Sequence, residues 1–183
     1  MARAESTMVP LGAPCPDFTL PGADGQLWSL RDFHEPALLV VVMCNHCPYV
    51  QAVDDRINAL AKAYEGRCGV LGINANDALT YPEDSFEAMR KRAKAKGYVF
   101  PYLWDEEQTV ARALGATCTP DFFLYDSHRR LVYRGRMDDN WKDAARVTRE
   151  DLKEAIEGLL AGQDPLEVQL PSMGCSLKWR TRP

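Results

Sequence analysis

Two cysteines separated by two residues, in Cys44-Asn45-His46-Cys47-Pro48, are the side chains here whose types and spacing best suit chemistry. They follow directly on the apolar run Ala37-Leu38-Leu39-Val40-Val41-Val42-Met43, the pattern of a strand buried on both faces. Where such a strand passes into a helix, free N–H groups and the helix dipole stabilise negative charge. A cysteine at that turn has a lowered pKa and more of the reactive thiolate. Cys44 is placed to be that thiolate, and Cys47, one turn on, to close a disulfide with it. His46 between them is expected to tune the pair, since an imidazolium would favour a Cys44 thiolate and a more oxidising disulfide. The chemistry expected is thiol–disulfide exchange. Metal binding is the rival, with Cys44, His46 and Cys47 as three ligands. Zinc takes four, and the sequence has no second ligand pair at its own spacing, so neither metal nor organic cofactor is expected.

The surrounding pattern supplies elements to hold the pair. Val50, Val53, Ile57, Leu60, Ala61 and Tyr64 fall on one stripe, which predicts an amphipathic helix over 46–65. Pro48 is tolerated only near its first turn. Residues 68–75 read as a second strand, giving a βαβ unit with parallel pairing and a right-handed crossover. Upstream, 1–13 reads as a flexible lead-in, and 14–30 as a β-hairpin around Asp24-Gly25. Downstream come a polar loop (76–82), a charged helix (83–96), an extended piece (100–104) and a helix (106–114). An antiparallel hairpin (121–136) follows, then a last helix capped by Thr148 and ended by Gly162. One domain is expected over 14–162, with the tail 163–183 packed on it through Leu166, Val168, Leu170, Met173, Leu177 and Trp179.

Three segments carry a resemblance. Pro16-Asp17-Phe18-Thr19-Leu20 with Asp24-Gly25, the Cys44-Asn45-His46-Cys47 pair, and Thr119-Pro120-Asp121-Phe122-Phe123-Leu124-Tyr125-Asp126 stand in the order found in the thioredoxin-like superfamily. Over residues 10–162 the chain resembles its TlpA-like and peroxiredoxin-like (AhpC/TSA-type) members. The resemblance implies an α/β thioredoxin fold: a central mixed β-sheet flanked by helices, with an N-terminal β-hairpin and an inserted strand–helix segment. It also implies a cis-proline, Pro120, beside the cysteines, with Thr119 offering its backbone to a docked extended polypeptide. The partners implied are protein disulfide substrates and a cellular thiol reductant.

The sequence departs from the pattern in two places. Met43 stands where thioredoxin has tryptophan, and the strand before the pair carries no acid to accept a proton from Cys47. Peroxiredoxins carry Pro-x-x-x-Thr-x-x-Cys; aligned on Cys47, Val40 and Cys44 occupy the proline and threonine positions, so a thiol peroxidase is the weaker expectation. A non-catalytic redox-sensing or partner-binding module is the other alternative. Cys118, two residues before Pro120, and Cys175, in the tail, are candidate third thiols, with plain packing the stronger expectation for each. Cys15 and Cys68 read as structural, and 138–141 as a surface loop.

Composition narrows the classes further. The 183 residues carry a formal net charge of -4, with no basic excess to meet phosphates, so nucleic acid is not an expected partner. No apolar stretch approaches the roughly 20 residues of a membrane span, and the N-terminus has no signal-peptide core. A cytoplasmic location is expected, where six cysteines are not expected to form a structural disulfide framework.

Overall fold

In the computed structural model, which describes residues 2–180, the chain begins with β1 (Arg3–Glu5), β2 (Thr19–Pro21) and β3 (Leu27–Ser29). Then come β4 (Ala37–Val42), α1 (Pro48–Ala63), β5 (Cys68–Asn74), α2 (Phe86–Lys96), β6 (Tyr102–Trp104) and α3 (Thr109–Leu114). It ends with β7 (Cys118–Thr119), β8 (Asp121–Tyr125), β9 (Leu131–Gly135), α4 (Asp151–Leu160) and β10 (Met173–Ser176). Five strands form the central sheet in the order β6-β5-β4-β8-β9. β4 pairs parallel with β5 and β5 with β6, whereas β8 and β9 run antiparallel, so the sheet is mixed.

The sheet's centre follows from the sequence of β4, which is buried from end to end. Its side chains alternate, so Leu39, Val41 and Met43 face one core with Val53, Ile57, Leu152 and Ile156. Leu38, Val40 and Val42 face the other, with Phe18, Phe33, Val110 and Leu114. Each such side chain contributes about 1.5–3 kcal/mol on burial, which ties α1 and α4 to one face and the N-terminal hairpin and α3 to the other. That hairpin pairs Thr19 with Ser29 and Pro21 with Leu27 around Asp24-Gly25.

Several expected boundaries shift for local reasons. The charged helix starts at Phe86, because Pro82–Asp84 forms a separate 3₁₀ turn and Ser85 caps the helix through Ala88 N. α3 starts at Thr109, where the buried Asp105 carboxylate accepts from the Thr109 and Ala111 N–H groups. Thr148 does not cap α4, whose N-cap is Glu150; the Thr148 N–H and hydroxyl both bond Asp139. Most consequential is a three-stranded sheet in the order β1-β10-β7, which joins the lead-in to the tail over the end of α1.

Candidate functional site

Cys47 is the N-cap of α1, with extended backbone (φ -73°, ψ 121°), and Pro48 is the first helical residue. Proline suits that place, since its missing N–H has no helical acceptor to meet. The turn holding Cys44 and Cys47 is fixed from behind by a carboxylate that sequence reasoning missed. Asp84, fully buried, accepts from the Asn45 N–H (2.7 Å) and Asn76 Nδ2 (2.7 Å), and lies 2.6 Å from His46 Nδ1. Tyr102 donates to Asn45 Oδ1 at 3.0 Å, and the His46 ring stacks on Tyr81 with centroids 5.3 Å apart. His46 is thus a held component of the turn, with only a small part of its side chain exposed.

Both thiols are buried, and their surroundings divide them. Cys47 is drawn down to about 5, first by a hydrogen bond from Cys44, with further support from Cys175, the Val50 N–H and the Thr119 side chain. Burial opposes this; the Thr119 carbonyl lies 3.1 Å from the Cys47 sulfur and accepts from the protonated thiol. Cys44 is pushed well above the usual thiol range by donating to Cys47, by burial and by the charge of Asp84. These directions favour the thiolate at Cys47, whereas the sequence pattern alone favours it at Cys44. The free N–H groups of the helix serve the residue at the cap, Cys47, while Cys44, one turn earlier, faces a carboxylate. His46 presents Nδ1 to Asp84 and is not among the groups that lower Cys44.

Thr119-Pro120 is cis, and the Thr119 hydroxyl is 3.4 Å from Cys44 Sγ. The expected docking edge is occupied by the chain itself, for Thr119 pairs with Cys175 of β10. Cys175 Sγ lies 2.9 Å from Cys47 Sγ. Cys118 alternates to the other side of β7, where its thiol donates to the Pro120 carbonyl at 3.6 Å. Cys15 and Cys68 lie in the two cores, each pushed by burial to about 12. Cys44, His46 and Asp84 present potential metal-ligand atoms within 4.8 Å of one another; His46 and Asp84 are joined by the hydrogen bond above, and Cys44 bonds to Thr119. No helix among the described residues is long and apolar enough to cross a membrane.

Sequence signal existed for the thiols and for Thr119-Pro120, but not for Asp84. It reaches the site from a 3₁₀ turn that reads locally as the start of a charged helix. Asp121 was also missed. It opens β8 opposite Val42, is fully buried, accepts from Ser6 Oγ at 2.7 Å, and is raised by burial to about 7.

The chain is similar to known proteins to different depths. Residues 11–134 match the AhpC/TSA family. The chain is 25% identical over 158 residues to the thiol-disulfide oxidoreductase ResA of Geobacillus thermodenitrificans, covering 85% of this chain and 81% of that protein. The structure of an uncharacterized conserved protein from Geobacillus kaustophilus superposes with TM-score 0.95 at 43% identity, over 100% of this chain and 99% of that one. A thiol:disulfide interchange protein of the thioredoxin family from Chlorobium tepidum shares the fold, with TM-score 0.63 at 18% identity over 81% of this chain and 97% of that one. The fold is the thioredoxin fold.

Proposed function

Because the chain belongs to the AhpC/TSA family and is similar to a thiol-disulfide oxidoreductase, we propose that it reduces or exchanges protein disulfides by cycling Cys44 and Cys47 between dithiol and disulfide. The observation that carries this reading is geometric: Cys47 caps α1, and the sulfurs of Cys44 and Cys47 both lie against Thr119 of the cis Thr119-Pro120 bond, with the Cys47 thiol drawn down and the Cys44 thiol pushed up. The Cys47 thiolate attacks one sulfur of a disulfide R–S–S–R′; a Cys47–S–S–R bond forms and R′–S⁻ leaves with the electron pair. Cys44 then attacks Cys47 Sγ, its proton passing toward the His46–Asp84 pair within 4.8 Å. The Cys44–Cys47 disulfide forms and R–S⁻ leaves. Two electrons have passed to the substrate, and a cellular thiol reductant returns them.

A second reading, thiol peroxidase, is favoured by one observation: the low-pKa sulfur is Cys47, the position at which peroxiredoxins carry their peroxide-reactive cysteine. Insulin-disulfide reduction and hydrogen peroxide consumption, measured side by side for wild type, Cys44→Ser and Cys47→Ser, separate the two. Loss of insulin reduction in Cys47→Ser and slower reduction in Cys44→Ser, with negligible peroxide turnover, is expected. Peroxide turnover that survives Cys44→Ser and vanishes in Cys47→Ser would overturn the proposal. Oxidation of the pair with neither turnover would point to a redox-sensing module.

A further inference from the structure

One buried nucleophile takes no part in the cycle above. Cys175 sits in β10, which runs antiparallel to β7 with Cys175 directly opposite Thr119. Opposed residues of an antiparallel pair project to the same face. On that face Cys175 Sγ meets Cys47 Sγ at 2.9 Å, and the Thr119 hydroxyl meets Cys44 Sγ at 3.4 Å. One side of a two-residue strand thus gathers three thiols.

The backbone around Cys175 is built to hold this approach. A Cβ placed on Gly174 would lie 2.0 Å from the Thr119 carbonyl oxygen, so only glycine lets β10 press this closely on β7. The outer edge of β10 is taken by β1, with Arg3 opposite Cys175 and Glu5 opposite Met173. On either side of the strand, Ser172 Oγ donates to the Pro120 carbonyl at 2.7 Å and the Leu177 N–H to the Thr117 carbonyl at 3.0 Å. A covalent bond to Cys47 requires the two sulfurs to close from 2.9 Å to about 2.05 Å.

We propose that Cys175 is a third redox-active thiol, which resolves disulfides formed at Cys47 by making an intrachain Cys47–Cys175 bond. This rests on the reading of Cys47 as the attacking thiolate. In the step, Cys47–S–S–R is the oxidised partner. The Cys175 sulfur attacks Cys47 Sγ, the Cys47–S–R bond breaks, and R–S⁻ departs with the electron pair and takes up the proton that Cys175 gives up. Before reaction, burial and the neighbouring Cys47 hold the Cys175 thiol protonated, at about 12, as a donor to the thiolate. Once Cys47 is in a mixed disulfide that anion is gone, while Lys178 still favours ionisation of Cys175.

The test uses the full chain and oxidised glutathione as the disulfide. Reduced wild type and Cys44→Ser are mixed with the probe, quenched in acid at successive times, alkylated, and mapped by mass spectrometry of non-reduced peptides. A peptide cross-linked through Cys47 and Cys175 is expected in Cys44→Ser as the main product, and in wild type alongside the Cys44–Cys47 product. Glutathione retained on Cys47 in Cys44→Ser, with Cys175 alkylated and no Cys47–Cys175 peptide in either chain, overturns the proposal and leaves the Cys47 reading intact. Cys47 unmodified in wild type throughout overturns both. Wild type supplies its own arm, so the outcome does not depend on Cys44→Ser folding.

Discussion

At the scale of single residues, Cys44 and Cys47 are set apart first by the hydrogen bond between them, with burial and the Asp84 charge adding to the rise at Cys44. Ultraviolet thiolate absorbance of the reduced protein should titrate with a midpoint near 5, the Cys47 value. Its largest lowering influence is the hydrogen bond from Cys44, so Cys44→Ala, which removes the donor, should move that midpoint upward by about one unit or more. A midpoint unchanged in the variant would remove Cys44 as the cause. Asp84→Ala strips acceptors from Asn45 N–H, Asn76 Nδ2 and His46 Nδ1 in a buried site. It should lower unfolding free energy by about 3 kcal/mol, read by urea denaturation. The pair itself was legible because Cys-x-x-Cys after a continuous apolar run is a local pattern. Which of the two is favoured as thiolate was not, since the contacts that separate them, between the two sulfurs, from Cys175 and from Asp84 in a separate 3₁₀ turn, arise only in the fold.

At the scale of elements, strands and helices with strong periodicity were readable: β4, the α1 stripe, the 14–30 hairpin and the β8–β9 hairpin all stand where apolar spacing puts them. The tail was readable only as apolar. Its strand β10 has four residues and its partner β7 two, too short for a period to show. What fixes their meeting is a steric vacancy at Gly174. Gly174→Ala forces a Cβ against the Thr119 carbonyl oxygen, and something in the backbone must shift. Stability should fall by about 1–3 kcal/mol, and iodoacetamide should alkylate Cys47 faster than in wild type, as β10 lifts away. Equal alkylation rates would mean that β10 does not control access to the sulfur.

At the scale of the whole molecule, stability should carry the signature of a buried acid. Asp121 is raised by burial from the usual 3.8 to about 7. A carboxyl whose folded pKa lies above its unfolded one contributes fully at low pH, and that contribution is lost as pH rises through the folded value. Asp121 should therefore lower unfolding free energy between pH 4 and pH 8, by at most about 4 kcal/mol. Asp121→Asn should flatten that slope, with a gain at pH 8 relative to pH 5. Denaturation curves at both values check the sign. An equal slope in the variant would assign the dependence to other groups.

The β1-β10-β7 sheet also has a consequence for how the protein is made. Cys47 is capped by a strand from near residue 175, and that strand is itself held by residues 3–5. During synthesis the central sheet and α1 can assemble long before β10 leaves the ribosome. Throughout that interval the Cys47 sulfur lacks the cover of β10, which arrives only once the two distant ends of this arrangement have met.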